Sequence, residues 1–260
     1  GALTMTNNSS AITLTAASQS WTYDGEAHSD TGYAAAFGEG LTGERQPDGS
    51  FLLSTGDSLT AVVNGTITNA GTTTNEVTSY AVMRGEADVT AFYTIGTANG
   101  TLEVTRKALE ITANSGSKEY DGTPLTDDGY SSSALAAGDK FVSVTVTGSR
   151  TDVGSGDNVP SAASIQNGAG EDVTGNYDIT YTSGTLNVVK NTSQITITAN
   201  SASKEYDGTA LTDSGYSCTP DILADGDVLT AVVNGTIINA GTTMNAATSS
   251  VTEKSPYIVR

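Results

Sequence analysis

The sequence is poor in the residues that catalytic and metal sites require. It has one cysteine, Cys218, one histidine, His28, and one tryptophan among 260 residues. A lone cysteine excludes a disulfide framework within one chain, and a Ser-His-Asp or Cys-His mechanism would depend on His28 alone. Zinc sites need clusters of histidine and cysteine that are missing here. We therefore expect no enzymatic activity.

The chain also has little positive charge and no long apolar run. Its 11 basic residues against 29 acidic ones give a formal charge of −18, and a surface of this sign repels phosphate groups. The apolar segments are too short to cross a bilayer. We expect no binding to nucleic acid and no direct insertion into a membrane.

What the sequence does contain is a repeat. The segment "SKEYDGTPLTDDGY" at 117–130 returns as "SKEYDGTALTDSGY" at 203–216, and a diverged copy, "SWTYDGEAHSDTGY", occupies 20–33. A catalytic motif is normally needed once, whereas a structural module brings its motif with every copy. The constant tripeptide is Tyr23, Asp24 and Gly25, then Tyr120, Asp121 and Gly122, then Tyr206, Asp207 and Gly208.

The repeat predicts three modules, at 11–107 (repeat 1), 108–193 (repeat 2) and 194–260 (repeat 3). Repeat 1 carries an insertion at about 37–56, where glycine and proline predict a loop. Residues 1–10 are predicted to be the terminal strand and linker of a preceding repeat, because "GALTMT" at their start matches "GTLNVV" at the end of repeat 2. Repeat 3 is predicted to lack this last strand. We therefore expect the chain to be a fragment without its signal and anchor.

Short segments such as "LEITA" and "VSVTVT" alternate apolar and polar residues, which is typical of strands with one buried face. Glycine-rich turns separate them, and helical apolar stripes are missing. The sequence predicts an all-β fold of small antiparallel β-sandwich modules, immunoglobulin-like, in an elongated array. A β-grasp module is the alternative, and it would require a helix.

The tripeptide itself is explained by turn chemistry. Asp-Gly favours a tight turn, and the preceding tyrosine can bury its ring while its hydroxyl reaches a backbone partner. A second recurring tyrosine, at Tyr33, Tyr130 and Tyr216, is predicted to anchor the next strand. The alternative is a sugar-stacking platform, for which Trp21, Tyr23 and Tyr33 are the candidates.

The combination of "SKEYDGTPLT" with the closing "NYDITYTSGTLNVV" resembles the YDG-type repeats related to MBG domains of large bacterial surface adhesins. The resemblance covers nearly all of the chain. It implies tandem β-modules in an extracellular or cell-surface bacterial protein, with host glycans, mucin or other surface proteins as partners. Repeat 1 departs from the pattern, because Trp21 stands where Lys118 and Lys204 stand. Any specialised role is therefore expected in repeat 1.

Two further kinds of chemistry have candidate residues. Carboxylates near turns at 85–90, 170–178 and 224–229 offer oxygen ligands for calcium, but aspartates that close turns by local hydrogen bonds are the simpler explanation, so we expect no cofactor. Lys118 and Lys204 are candidates for Lys–Asn isopeptide bonds. We favour the explanation that they are exposed strand lysines that discourage edge pairing, because Trp21 breaks the series in repeat 1.

These observations favour a non-catalytic structural or adhesive region, a stalk or spacer in a secreted or cell-surface bacterial protein. A glycan- or mucin-binding module acting through repeat 1 is the alternative. We also expect the open edge of repeat 3 to pair with another chain, through residues 1–6 of a second molecule.

Overall fold

The computed structural model describes residues 1–219, 223–224, 227–250 and 258–259. Within these residues the chain forms 22 strands and two single-turn 3₁₀ helices, Thr90–Phe92 and Thr174–Asn176, with no α-helix. The all-β prediction is confirmed. The helix that a β-grasp module would need is absent from the described part of the chain.

Residues 11–105 form two sheets. The strands are β1 (Ala11–Ala16), β2 (Gln19–Thr22), β3 (Tyr33–Phe37), β4 (Gly43–Arg45), β5 (Phe51–Leu53), β6 (Ser58–Asn64), β7 (Gly71–Arg84), β8 (Ala87–Asp88), β9 (Thr94–Ala98) and β10 (Gly100–Thr105). One sheet has the order β3-β1-β9. The other has the order β2-β10-β7-β6-β5-β4, with β8 paired to β7.

The next stretch of chain repeats this plan with fewer strands. They are β11 (Lys107–Ala113), β12 (Gly116–Glu119), β13 (Tyr130–Ser132), β14 (Lys140–Thr147), β15 (Gly154–Gln166), β16 (Tyr177–Thr182) and β17 (Gly184–Val189). The sheet orders are β13-β11-β16 and β12-β17-β15-β14. Each strand here has a counterpart in the first stretch.

The last stretch has β18 (Gln194–Ala199), β19 (Tyr216–Thr219), β20 (Thr230–Asn234), β21 (Ala246–Ser250) and β22 (Ile258–Val259). The orders are β19-β18-β22 and β20-β21. The described part of this stretch contains no strand that corresponds to β2 and β12, and none that corresponds to β10 and β17.

The sheets are mixed, so the prediction of purely antiparallel modules is wrong. Strand β1 runs antiparallel to β3 but parallel to β9, and β10 runs parallel to β2 but antiparallel to β7. The same mixture recurs around β17 and β18. Alternation in a sequence indicates which face of a strand is buried, but it does not indicate the direction of the neighbouring strand.

The insertion at 37–56 is folded, which corrects the prediction of a loop. It contains β4 and β5, which pair with each other and extend the larger sheet through β6. The side chains of Leu41, Phe51 and Leu53 are buried in the core. Glycine and proline mark the turns of this segment, while its spaced apolar residues give the hairpin a buried face.

The core of the first stretch is shared by its two sheets. Strand β1 alternates strictly between exposed and buried residues, and its Ile12 and Leu14 are fully buried in one cluster with Leu59 of β6 and Val82 of β7. Burial of such apolar side chains is the main favourable term in folding. Because β1 belongs to one sheet and β6 and β7 to the other, the two sheets pack face to face.

Contacts divide the chain into two compact units. The first comprises Gly1–Leu109, Ser133–Ser143 and Ala163–Thr180, and the second comprises Glu110–Ser132, Val144–Ala162 and Tyr181–Arg260. Both units include residues from 108–193, so their borders differ from the borders of the sequence repeat. The division into three modules stays a prediction.

Candidate functional site

Each Tyr-Asp-Gly tripeptide forms the same local turn. The Oδ1 atom of the aspartate accepts a hydrogen bond from the backbone amide two residues further on, at 2.9 Å from Glu26 N to Asp24, from Thr123 N to Asp121 and from Thr209 N to Asp207. The following glycines have φ values of 89°, 78° and 78°. Only glycine adopts this conformation without steric cost, which explains the Asp-Gly pair.

The recurring lysine closes this turn in repeats 2 and 3. Lys118 Nζ lies 2.7 Å from Asp121 Oδ1 and Lys204 Nζ lies 2.9 Å from Asp207 Oδ1. The hydrogen bond from Lys118 lowers the pKa of Asp121 to about 2. Both ammonium groups therefore bind a carboxylate within their own turn, and Lys118 also lies on β12, an edge strand of its sheet.

Repeat 1 builds the same turn from other residues. His28 Nε2 lies 3.0 Å from Asp24 Oδ1, and the Trp21 ring stacks on the imidazole with ring centroids 4.7 Å apart. The amide of Glu26 lowers the pKa of Asp24, and His28 adds to this effect. The lone histidine thus takes over the contact made by lysine in the other repeats.

The tyrosine of the first tripeptide reaches far beyond its own turn. Tyr23 is 2 % exposed, and its hydroxyl donates to Asp139 Oδ2 at 3.1 Å. Tyr177 donates to the same oxygen at 2.6 Å, and the two rings meet edge to face with centroids 5.5 Å apart. All three residues lie in the first compact unit. The expected backbone partner of Tyr23 is therefore replaced by a carboxylate of repeat 2.

The second tripeptide makes the equivalent contact in the second compact unit. The hydroxyl of Tyr120 donates to Asp227 Oδ1 at 3.1 Å. Asp139 and Asp227 occupy equivalent positions, because each follows a glycine in the sequence. Asp139 lies just before β14, and Asp227 lies just before β20. We call this pairing, Tyr23 with Asp139 and Tyr120 with Asp227, the tyrosine clasp.

The equivalent carboxylate in repeat 1 is Asp57, and it has a different second partner. Arg84 binds it through both Nε and Nη2, at 2.7 and 2.9 Å, while Tyr93 donates its hydroxyl as Tyr177 does to Asp139. The hydrogen bond from Arg84 lowers the pKa of Asp57 to about 2. Arg84 thus binds Asp57 where a tyrosine of the preceding repeat binds the equivalent aspartate in repeats 2 and 3.

Further bonds accompany the first clasp. Asn176 accepts from the amide of Ala70 at 2.8 Å and donates to Asn69 at 2.9 Å. A Cβ added at Gly25 would lie 3.0 Å from the carbonyl oxygen of Ala137. Gly25 therefore serves both the turn and the close approach of the next repeat.

A second recurring residue was not predicted from the sequence. Asn75 Nδ2 donates to the carbonyls of Ala17 and Asp30, both at 2.9 Å, and Asn158 and Asn245 make the equivalent pairs of bonds. Their Oδ1 atoms lie 2.6, 2.6 and 2.4 Å from where a Cβ would stand on Gly65, Gly148 and Gly235. The sequence pattern that marks this contact is an asparagine ten residues after each of these glycines.

The predicted ligand-binding residues do not share one accessible surface. Tyr23 and Tyr33 are buried, and the ring of Tyr33 packs against Phe51 and the guanidinium of Arg45. Trp21 is half-buried beside His28. A ligand of repeat 1 would have to contact Trp21 rather than the two tyrosines.

Groups able to hold a metal are absent from the described residues, since no three His, Cys, Asp or Glu side chains converge. Two aspartates from the segments considered for calcium, Asp88 and Asp172, instead accept from the amides of Thr90 and Thr174 at 2.9 Å. Local turn closure therefore accounts for them.

Comparison with known proteins adds no relative, because no family model, curated protein or solved structure matches this chain. Among the described residues no helix is long and apolar enough to cross a membrane.

Proposed function

We propose that this chain is a non-catalytic stalk or spacer in a secreted or cell-surface bacterial protein, built from consecutive immunoglobulin-like β-sandwich modules. The observation that carries this proposal is the tyrosine clasp, because it joins repeat 1 to repeat 2 and repeat 2 to repeat 3 by the same bond. The resemblance to YDG-type adhesin repeats supports the same function.

The clasp is suited to a load-bearing array for a physical reason. A hydroxyl that donates to a carboxylate forms a charge-assisted hydrogen bond, which is stronger than a bond between neutral groups. Tyr23 is buried, so water does not compete freely for that bond. A repeated contact of this kind resists separation of neighbouring repeats while each repeat keeps its own core.

Single-molecule force spectroscopy tests the proposal. A chain pulled from its two ends should unfold in separate events, and because Tyr120 and Tyr206 are 86 residues apart, a released repeat should add roughly 300 Å of extended chain. Replacing Tyr23 and Tyr120 together by phenylalanine should lower the force of the first event. Extension without discrete events, or forces unchanged in the double variant, would contradict the proposal.

A second candidate function is recognition of glycan or mucin by repeat 1. It is favoured by the stack of Trp21 on His28, which is found in repeat 1 alone among the three copies of the turn. A glycan and mucin screen on residues 1–260 tests it. The matched variant is Trp21→Lys, because lysine is the residue that closes this turn in repeats 2 and 3.

Specific binding that is lost in both Trp21→Lys and Trp21→Ala would assign recognition to the stack. Binding that survives in both variants would exclude the stack as the site. No binding by the folded wild-type chain would leave the stalk as the function to pursue.

A further inference from the structure

A groove in repeat 3 lies where the other repeats hold a strand. In repeat 1, β10 lies between β2 and β7, and in repeat 2, β17 lies between β12 and β15. The equivalent segments of repeat 3, 202–205 and 241–245, have no strand between them among the described residues. A cavity of about 450 Å³ lies there, lined on its two sides by 199–204 and 241–245.

The two sides of the groove also differ from their counterparts in conformation. Residues 202–205 and 241–245 belong to no strand, whereas β2 and β12 and the first residues of β7 and β15 are paired. Segments that pair in two repeats and stay unpaired in the third are open to strand addition. Leu211 and Ile237 contribute apolar side chains to the lining.

Residues 1–6 carry the sequence of the strand that fills this place elsewhere. "GALTMT" has the pattern of "GTLEVT" in β10 and "GTLNVV" in β17. Leu102 and Leu186, at the third position of these strands, are 0 % exposed. In residues 1–6, which form no strand, the equivalent Leu3 and the following Met5 are fully exposed, at 105 % and 98 %.

The first position of the strand demands glycine. A Cβ on Gly100 would lie 2.1 Å from the carbonyl oxygen of Ala17, and a Cβ on Gly184 would lie 2.1 Å from that of Asn114. The equivalent carbonyl in repeat 3 belongs to Asn200, which lines the groove. Gly1 satisfies this requirement, and nothing lies within 4 Å of where its Cβ would stand.

We propose that the groove of one molecule takes residues 1–6 of a second copy as a strand, in the register of β10 and β17. The added strand then runs antiparallel to 241–245 and parallel to 202–205. In that register Gly1 of the second copy lies opposite Asn245, Leu3 opposite Thr243 and Met5 opposite Gly241. Leu3 and Met5 then become buried, as Leu102 and Val104 are in β10.

This contact joins two different surfaces, a donor segment and a groove. Each molecule offers one donor segment and one groove, and such heterologous contacts generate rings or open chains of molecules. The inference goes beyond the proposed function, because a stalk needs only bonds within one chain. Failure of one therefore leaves the other standing.

Sedimentation velocity over a wide range of protein concentration tests the inference on the full chain. The wild type should form species larger than the monomer as its concentration rises. Gly1→Val and Leu3→Asp should each weaken this association by about tenfold or more, because one introduces the clash described above and the other buries a charge. A wild type that stays monomeric at every concentration overturns the inference.

The controls come from the repeats themselves. Thr4→Glu should leave association unchanged, because Glu103 occupies that position in β10, and Ala2→Thr should do the same, because Thr101 and Thr185 occupy that position. None of these positions is needed for the fold of the donor molecule, since residues 1–6 form no strand and Gly1, Leu3 and Met5 are exposed. Association that is unaffected by Gly1→Val overturns the inference.

A disulfide tests the register directly. In a Cys218→Ser background, Ala2→Cys on one molecule and Met244→Cys on another should form a cross-link on oxidation, because Thr101 pairs with Thr74 at the equivalent place in repeat 1. Ala2→Cys with Thr243→Cys, one residue out of register, should cross-link at least about tenfold more slowly. Equal yields from the two pairs would exclude the proposed register.

Discussion

The hydroxyl of Tyr23 donates to the carboxylate of Asp139, 116 residues further along the chain, at 3.1 Å. This bond gives the tyrosine of the Tyr-Asp-Gly tripeptide a role beyond the turn. The Asp-Gly part shapes the turn within each repeat, while Tyr23 and Tyr120 connect their repeats to the following ones.

Replacement of Tyr23 by phenylalanine should lower the free energy of unfolding by about 1–2 kcal/mol, because the hydrogen bond to a charged group is lost while the buried ring stays. Urea denaturation followed by circular dichroism measures this change. Tyr206→Phe is the matched control, since Tyr206 occupies the same place in repeat 3 and is 69 % exposed. Equal losses from the two substitutions would show that the clasp contributes nothing.

The stability of repeat 1 should depend on the ionisation of Asp57 at low pH. Arg84 lowers the pKa of Asp57 to about 2 in the folded chain, against about 3.9 when unfolded. Its contribution is therefore fully present above about pH 4 and is lost as the pH falls through about 2. Asp57→Asn should cost about 1–2 kcal/mol at pH 7, a value reduced because Arg84 is largely exposed.

Urea denaturation at pH 7 and at pH 2 checks this expectation. The difference between the wild type and Asp57→Asn should shrink at the lower pH, because the wild-type carboxylate is then partly protonated. Asp128→Asn removes an exposed carboxylate and should change the free energy of unfolding by less than about 0.5 kcal/mol. A constant difference between wild type and Asp57→Asn at both pH values would refute the assignment.

Alanine at position 65 should destabilise the protein by about 1–3 kcal/mol, because its Cβ would lie 2.6 Å from Asn75 Oδ1 and 2.9 Å from the carbonyl oxygen of Thr74. Gly96→Ala is the control, since nothing lies within 4 Å of its added Cβ. Thermal unfolding compares the two. If Gly65→Ala proves as stable as Gly96→Ala, the asparagine is not packed as described.

Local features of the fold followed from local sequence. Alternation in "LEITA" predicted the half-buried strand β11, and Asp-Gly predicted the turns at Asp24, Asp121 and Asp207. These structures depend on side-chain direction and on the backbone preferences of two or three adjacent residues. Both are properties that a short segment carries with it.

Features that depend on distant partners could not be predicted from the sequence. Nothing in the sequence of β10 states that β2 will run parallel to it, and nothing around Tyr23 identifies Asp139 as its acceptor. Gly-Asp before a strand is also a common turn sequence, and nothing in it identifies Asp57, Asp139 and Asp227 as acceptors of tyrosine hydroxyls. Their common role depends on tyrosines that lie far away in the sequence.

The carboxylate of Asp139 receives two hydroxyls, one from Tyr177 of its own repeat and one from Tyr23 of the preceding repeat. Formation of the first bond places the acceptor for the second, so a folded repeat presents a prepared site to its neighbour. The repeats are then thermodynamically coupled, as in a nearest-neighbour chain. A defect in one repeat should therefore lower the melting temperature of the next.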